Sequence, residues 1–219
     1  MAFKLVVCGE PNAGKTSLTE GVKNSLVISH DGKPYPFPAP HALLDTVESG
    51  SGITDFVSDK VGAYEEKFGN PPDVIIFDSI SRIYESLYDL CNTKYTNFAI
   101  YSNLDKEIKE VADLLEDIVA SGINVVIISH ASLNTETSKY ELVGKGSFNK
   151  LGGFLSVVDE SIFIETKNNK RVVHFRSTKF PARTLCKDLP DSMPVKDFTL
   201  ASHLERLEEM SFIAADYAL

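Results

Sequence analysis

The residues best placed for chemistry are Lys15 and Thr16, which close the octapeptide Gly9-Glu10-Pro11-Asn12-Ala13-Gly14-Lys15-Thr16. It fits G-x-x-x-x-G-K-[ST], a loop whose glycines let the backbone curl until successive N–H groups face phosphate oxygens. Gly9 to Ser17 would then cradle a triphosphate, with Lys15 reaching the β- and γ-phosphates and Thr16 holding Mg²⁺. A helix starting near Lys15 would add its positive end. The apolar run Phe3 to Cys8 supplies the feeding strand that separates this motif from a chance glycine-rich turn. A nucleoside triphosphate is the expected ligand.

A second acidic group is needed to position the metal through its water shell. Asp78 ends Asp73-Val74-Ile75-Ile76-Phe77-Asp78, an apolar run closed by a carboxylate. Such endings are common in buried strands; joined to the phosphate loop, this one becomes specific.

These groups are positioned by alternating strands and helices. Ser25 to Ser29 reads as a second strand, and Pro34, Pro36, Pro38 and Pro40 then force an extended loop. Thr54 is the expected cap of a helix carrying Val57, Val61, Tyr64 and Phe68 on one face and stopped by Gly69 and Pro71. Val74 to Phe77 is a continuous apolar strand and Ile123 to Ile128, interrupted only by Asn124, reads as another, as a parallel sheet covered on both faces requires. Between them a helix runs with Leu104, Ile108, Val111, Leu115 and Ile118 on one stripe, ending at Gly122. Ser161 to Glu165 and Val172 to Arg176 flank Lys167-Asn168-Asn169-Lys170, a hairpin turn at a sheet edge. Leu200 to Met210 reads as a last helix. The pattern predicts a single α/β domain with a mostly parallel central sheet and right-handed crossovers.

Composition narrows the class. The chain has 219 residues, 43% of them hydrophobic, no apolar run near the length of a membrane span and no basic leader. A cytoplasmic protein with no membrane partner is expected. Cys8, Cys91 and Cys186 are widely spaced, so reduced structural thiols are expected rather than a disulfide framework or zinc site. The net charge of -9 is unevenly spread: Lys167 to Lys187 holds seven basic residues and no acidic one, leaving the other 198 residues with 15 basic and 31 acidic. Such a segment is a footprint for phosphate, on a nucleotide in a neighbouring subunit or on a nucleic-acid backbone; its plainer reading is a solvated hairpin face.

Two rivals share the loop. Translational GTPases carry a similar Gly-x-Pro-Asn-x-Gly-Lys, but Asp78-Ser79-Ile80-Ser81 lacks the glycine of D-x-x-G, and no Asn-Lys-x-Asp follows the Ile123 strand. A small-metabolite phosphotransferase normally shows an arginine-rich lid, and the 120s to 150s contain no arginine.

The chain resembles the RecA-like core ATPases, specifically the phage-encoded ATP-binding proteins of the single-strand-annealing (Sak-type) group. The resemblance covers roughly residues 3 to 190. It is carried by Gly9 to Thr16, Ser29-His30-Asp31-Gly32, Asp78-Ser79-Ile80-Ser81, Ile127-Ile128-Ser129-His130-Ala131, and Phe175-Arg176-Ser177-Thr178-Lys179-Phe180-Pro181-Ala182-Arg183.

The resemblance implies a three-layer core over residues 1–190 that binds ATP and Mg²⁺ and hydrolyses the ATP. An acidic helical tail over 191–219 would pack on the core or on a neighbour. Lys15, Asp31, Asp78 and His130 would be catalytic. Asp31 stands where the family orients the attacking water, although the family pattern has Glu there; the shorter side chain carries its carboxylate about 1.5 Å less far. Its other reading is an Asp-Gly turn. His130 would sense the γ-phosphate, or else be a hydrogen-bonded strand-end histidine.

The segment Ala131 to Lys150 would be a loop contacting single-stranded DNA through Lys139, Tyr140, Lys145, Phe148 and Lys150; its other reading is a connection without that role. Arg176, Lys179 and Arg183 would act in trans on a neighbour's γ-phosphate, which implies a homo-oligomeric ring or filament. The implied setting is phage recombination or replication by annealing or strand exchange, alongside a phage or host single-strand-binding protein. An annealing protein switched by nucleotide with little turnover is the alternative. Two Phe-x-x-Ala tetrapeptides, 198–201 and 212–215, match a subunit-docking anchor at about the frequency composition alone gives.

Overall fold

A computed structural model describes residues 2–215 except Lys33, with side chains through Met210. Strand order, rather than sequence order, brings the chemistry together. The parallel core consists of β1 (Lys4–Gly9), β2 (Ser25–Ser29), β3 (His41–Leu43), β4 (Val74–Asp78), β5 (Asn124–Asn134) and β7 (Glu160–Lys167). Antiparallel additions are β6 (Lys139–Leu142), β8 (Lys170–His174) and β9 (Ser192–Pro194). The order is β3-β2-β4-β5-β1-β7-β8-β9, with β6 pairing only with β5.

The expected three-layer α/β arrangement is present. Along β1, Val6 and Cys8 join one core with α1 (Gly50–Phe68), α2 (Ile80–Lys94) and α3 (Phe98–Ala120). Leu5 and Val7 point to the other face, where α5 (Leu200–Ala215) contributes Leu200, Leu204 and Leu207. This period of two is what a strand covered on both sides must show. The edge hairpin also forms: Asn168 and Asn169 have φ of 51° and 58°, the positive pair a two-residue turn needs. No helix among the described residues is long and apolar enough to cross a membrane.

Several expectations are corrected. The helix after the phosphate loop is one 3-10 turn, Thr16–Thr19, because the chain turns at Gly21 (φ 85°) and must feed β2 at Ser25. The helix α1 starts four residues before Thr54, capped by Ser49, whose hydroxyl accepts from the Gly52 amide. Residues 131–150 are not a loop. β5 runs on to Asn134, turns back as β6, and a short helix α4 (Gly146–Lys150) follows.

The phenylalanine at 198 packs its ring on Phe175 and His203 inside the core, so the first Phe-x-x-Ala offers no anchor. The second lies outside the described side chains. All three cysteines are buried and free, and burial pushes the Cys8 thiol up to about 12, leaving it inert as a nucleophile.

Candidate active site

The ends of four adjacent strands build the site. Gly9 pairs with His130 across β1 and β5, and Ser29 with Asp78 across β2 and β4. The phosphate loop, Asp31, Asp78 and His130 therefore leave the sheet together at its carboxyl edge, where open α/β sheets bind ligands. They line one cavity of about 520 Å³.

The loop's glycines are required by contact. A Cβ on Gly9 would lie 2.6 Å from the carbonyl oxygen of Ile164, and Gly14 has a φ of 92°. Asn12 also takes the left-handed conformation, at φ 63°. Ala13 N–H closes the turn onto Glu10 O at 3.2 Å, while the amides of Asn12, Gly14 and Lys15 have no protein acceptor among the described residues. Those donors fit a polyphosphate, and Thr16 with Asp78 fits its metal: Thr16 Oγ1 donates to Asp78 Oδ2 at 2.7 Å. Bound Mg²⁺ would neutralise charge on the transferring phosphoryl group.

Lys15 is buried and donates to Gly9 O (3.1 Å) and Glu10 O (2.8 Å), with His130 Nδ1 at 3.3 Å. Desolvation lowers its pKa from 10.5 to about 8, opposed by Cys8, Asp78 and Asp31. The ammonium occupies Nδ1 as acceptor, which places the ring proton on Nε2, the nitrogen left to meet a phosphate. Burial, then Lys15 and Arg82, hold the His130 pKa below its usual value, so the ring is neutral at pH 7. His130 N–H is itself fixed by Ser81 Oγ at 2.7 Å.

A pH dependence follows from Lys15. Without ligand it is protonated below about pH 8 and loses its charge above; a bound triphosphate restores the charge. ATP affinity is expected to be flat below pH 7.5, then to fall by up to about tenfold per unit between pH 8 and 10, with proton uptake on binding. Calorimetry in buffers of different ionisation heat measures both; flat affinity to pH 9.5 would contradict it.

Asp31 lines the same cavity, and Arg82 Nε approaches its Oδ1 at 3.6 Å. Arg82, Glu85 and the Pro34-Tyr35-Pro36 wall were not foreseen. Tyr35 shares a 2.9 Å hydrogen bond with Thr19, tying the proline-rich segment to the phosphate loop. Arg82 was within reach of the sequence: Ile80, Ile83, Leu87 and Cys91 recur at helical spacing, and Ser79 caps α2 by accepting from Arg82 N–H.

The remaining candidates are scattered. Two of the proposed finger residues serve their own chain: Arg176 donates to Leu189 O and Cys186 O, both at 2.6 Å, and Arg183 to Leu155 O at 3.0 Å and Val158 O. Lys179 is exposed, with its Nζ 5.1 Å from the Phe180 ring centroid. Tyr140 packs on Phe163 and Phe180 and donates to Glu10 Oε1 at 3.2 Å. Lys145 lies over the Tyr88 ring, and Phe148 packs on Phe154. Lys139 and Lys150 are exposed.

Away from the cavity, Glu160, Cys186 and His203 bring a carboxylate, a thiol and an imidazole within 4.8 Å of one another, all buried. The carboxylate is already engaged by Thr184, the Leu185 amide and His203, so this cluster reads as a clasp between β7 and α5.

Comparison with known proteins agrees with this geometry. No curated protein matches the chain. Among solved structures it is similar to a KaiC-like protein from the hyperthermophilic archaeon Pyrococcus horikoshii, with TM-score 0.54 and 11% identity over 88% of this chain and 84% of that one. That likeness establishes a RecA-type fold. The family model described as "AAA domain" matches residues 1–184, nearly the whole structured core, and the chain belongs to that family.

Proposed function

We propose that the protein is a RecA-like ATPase that uses Mg·ATP to act on single-stranded DNA, in recombination or replication by annealing or strand exchange. The observation carrying the ATPase reading is the convergence of Lys15, Thr16, Asp78 and His130 on one cavity, with Thr16 bonded to Asp78. In this reading the loop amides and Lys15 hold the phosphates, His130 monitors the terminal one, and Asp31 orients water. The acid-free basic stretch from Lys167 to Lys187 and the exposed Lys139 and Lys150 support a polyanionic partner. Assembly into a homo-oligomer rests on the sequence resemblance. A phage setting rests on the sequence resemblance alone.

One observation favours the second reading, a nucleotide-switched annealing protein with slow turnover. Asp31 is shorter than the usual Glu and is drawn toward Arg82. Measuring ATP turnover and strand annealing with and without single-stranded DNA separates the two. DNA-stimulated turnover supports the motor, annealing with negligible turnover supports the switch, and no DNA binding at low salt in any nucleotide state would sink both. Asp31→Asn is expected to slow turnover at least about tenfold, a modest share of what a general base supplies, with ATP affinity nearly unchanged. An unaltered rate would retire Asp31 as the water-orienting group.

A further inference from the structure

The cavity around Lys15 suits phosphates and a metal through Lys15, Thr16 and Asp78, and its lining mixes the charged Asp31, Arg82 and Glu85 with Pro34, Tyr35 and Pro36. A second surface touching the loop is wholly aliphatic between its cations.

Arg171, on β8 of the edge hairpin, supplies the connection. A Cβ built on Gly14 would lie 2.7 Å from its Nη1, 3.2 Å from Cζ and 3.6 Å from Nε, so the guanidinium lies against the phosphate loop of its own chain. The same side chain borders a second cavity of about 500 Å³, lined by Lys170, Arg171, Val172, Pro194, Val195 and Lys196. Val172 and Pro194, two of its lining residues, pair across β8 and β9. The volume falls within the roughly 300–1,000 Å³ of small-molecule sites. Its walls are aliphatic and its rim carries three cations. Such a surface holds a ring by its face while neutralising the adjoining phosphate, and a guanidinium plane is a stacking partner in its own right.

We infer that the edge-hairpin cavity is the nucleoside subsite, receiving the base and ribose of the nucleotide whose triphosphate lies on Gly9 to Thr16, with Arg171 at the junction. This rests on the phosphate-loop reading and extends it. It gives the β8–β9 edge a role in binding within its own subunit. Aliphatic walls grip a base by its face rather than its edge, so discrimination between ATP and GTP is expected to be weak.

The test compares Mg·ATP with inorganic tripolyphosphate, which has no nucleoside, by calorimetry on native protein and on Arg171→Ala, Val195→Asp and Lys15→Ala. Arg171→Ala and Val195→Asp should each weaken ATP by about tenfold, the size of a desolvated stacking contact, and leave tripolyphosphate within about twofold. Retained tripolyphosphate binding also shows that each variant is folded. Lys15→Ala should lose both ligands. If both hairpin variants bind ATP like the native protein while Lys15→Ala does not, the subsite falls and the phosphate loop stands. Equal weakening of both ligands by Arg171→Ala would make it a phosphate contact and overturn the subsite. Native protein that binds neither ligand would overturn both readings.

Discussion

Replacing Asp78 by asparagine is expected to slow ATP turnover on the order of a hundredfold, the usual effect of deleting one preorganised electrostatic group from a water-excluded site. The substitution keeps the volume and a hydrogen-bond acceptor for Thr16 Oγ1, so the 2.7 Å contact can persist. What it removes is the negative charge. Asp78 is buried at the end of β4 and is one of the groups raising the Lys15 pKa against desolvation. Without it the metal loses its anchoring carboxylate, and the Lys15 pKa should fall further below about 8. ATP binding should therefore weaken as well, by less than turnover does and more steeply above pH 7. Steady-state rates and affinities at pH 6.5 and 8 measure both effects; turnover within threefold of native would show that Asp78 is only a strand-end carboxylate.

The second large effect concerns stability. Glu160 is fully buried, and its Oε1 lies 2.6 Å from His203 Nε2 and 2.8 Å from Thr184 Oγ1, while Oε2 accepts from Leu185 N–H at 3.0 Å. One carboxylate thus joins β7, the C-terminal end of the basic stretch, and α5. Removing one partner deprives a buried polar group of its hydrogen bond, which typically costs about 1–3 kcal/mol. For a chain of this size that corresponds to a fall in Tm of roughly 5 °C. His203→Ala and Glu160→Ala should each show it. The double replacement should cost clearly less than their sum, because both remove the same pair. Thermal unfolding of the three variants decides it; single shifts below about 2 °C would show that the clasp does not hold the helix.

Much of this architecture is legible along the chain because burial imposes a simple period. Val74 to Phe77 and Val125 to Ile128 are apolar at every position, which only a strand covered on both faces explains, and α3 repeats its apolar stripe through Leu104, Ile108 and Val111. The phosphate loop is legible for another reason: its function needs particular residue types at fixed spacing. Legibility fails where tertiary contact decides. The hairpin of β5 and β6 mixes polar and apolar residues because one end lies on the core and the other in solvent. Tyr35 reaches Thr19 from a segment whose alternating prolines fix an extended backbone but name no partner, and Arg171 meets Gly14 from 157 positions away. Residue type alone could not distinguish Arg171 from Arg176 or Arg183 in the same basic stretch. One lies on the phosphate loop, and the other two are tied to backbone carbonyls.

The most direct test of the central claim is equilibrium binding of Mg·ATP to the native protein and to Lys15→Ala, measured by calorimetry at pH 7. The lysine is buried against the Gly9 and Glu10 carbonyls and His130, and no other cation lies so deep in the cavity among its described lining residues. The expected result is stoichiometric binding by the native protein and affinity lower by about a hundredfold or more in the variant, the loss that follows truncating one side of a buried charge pair. Native protein that does not bind, or a variant that binds as tightly as native, would contradict it.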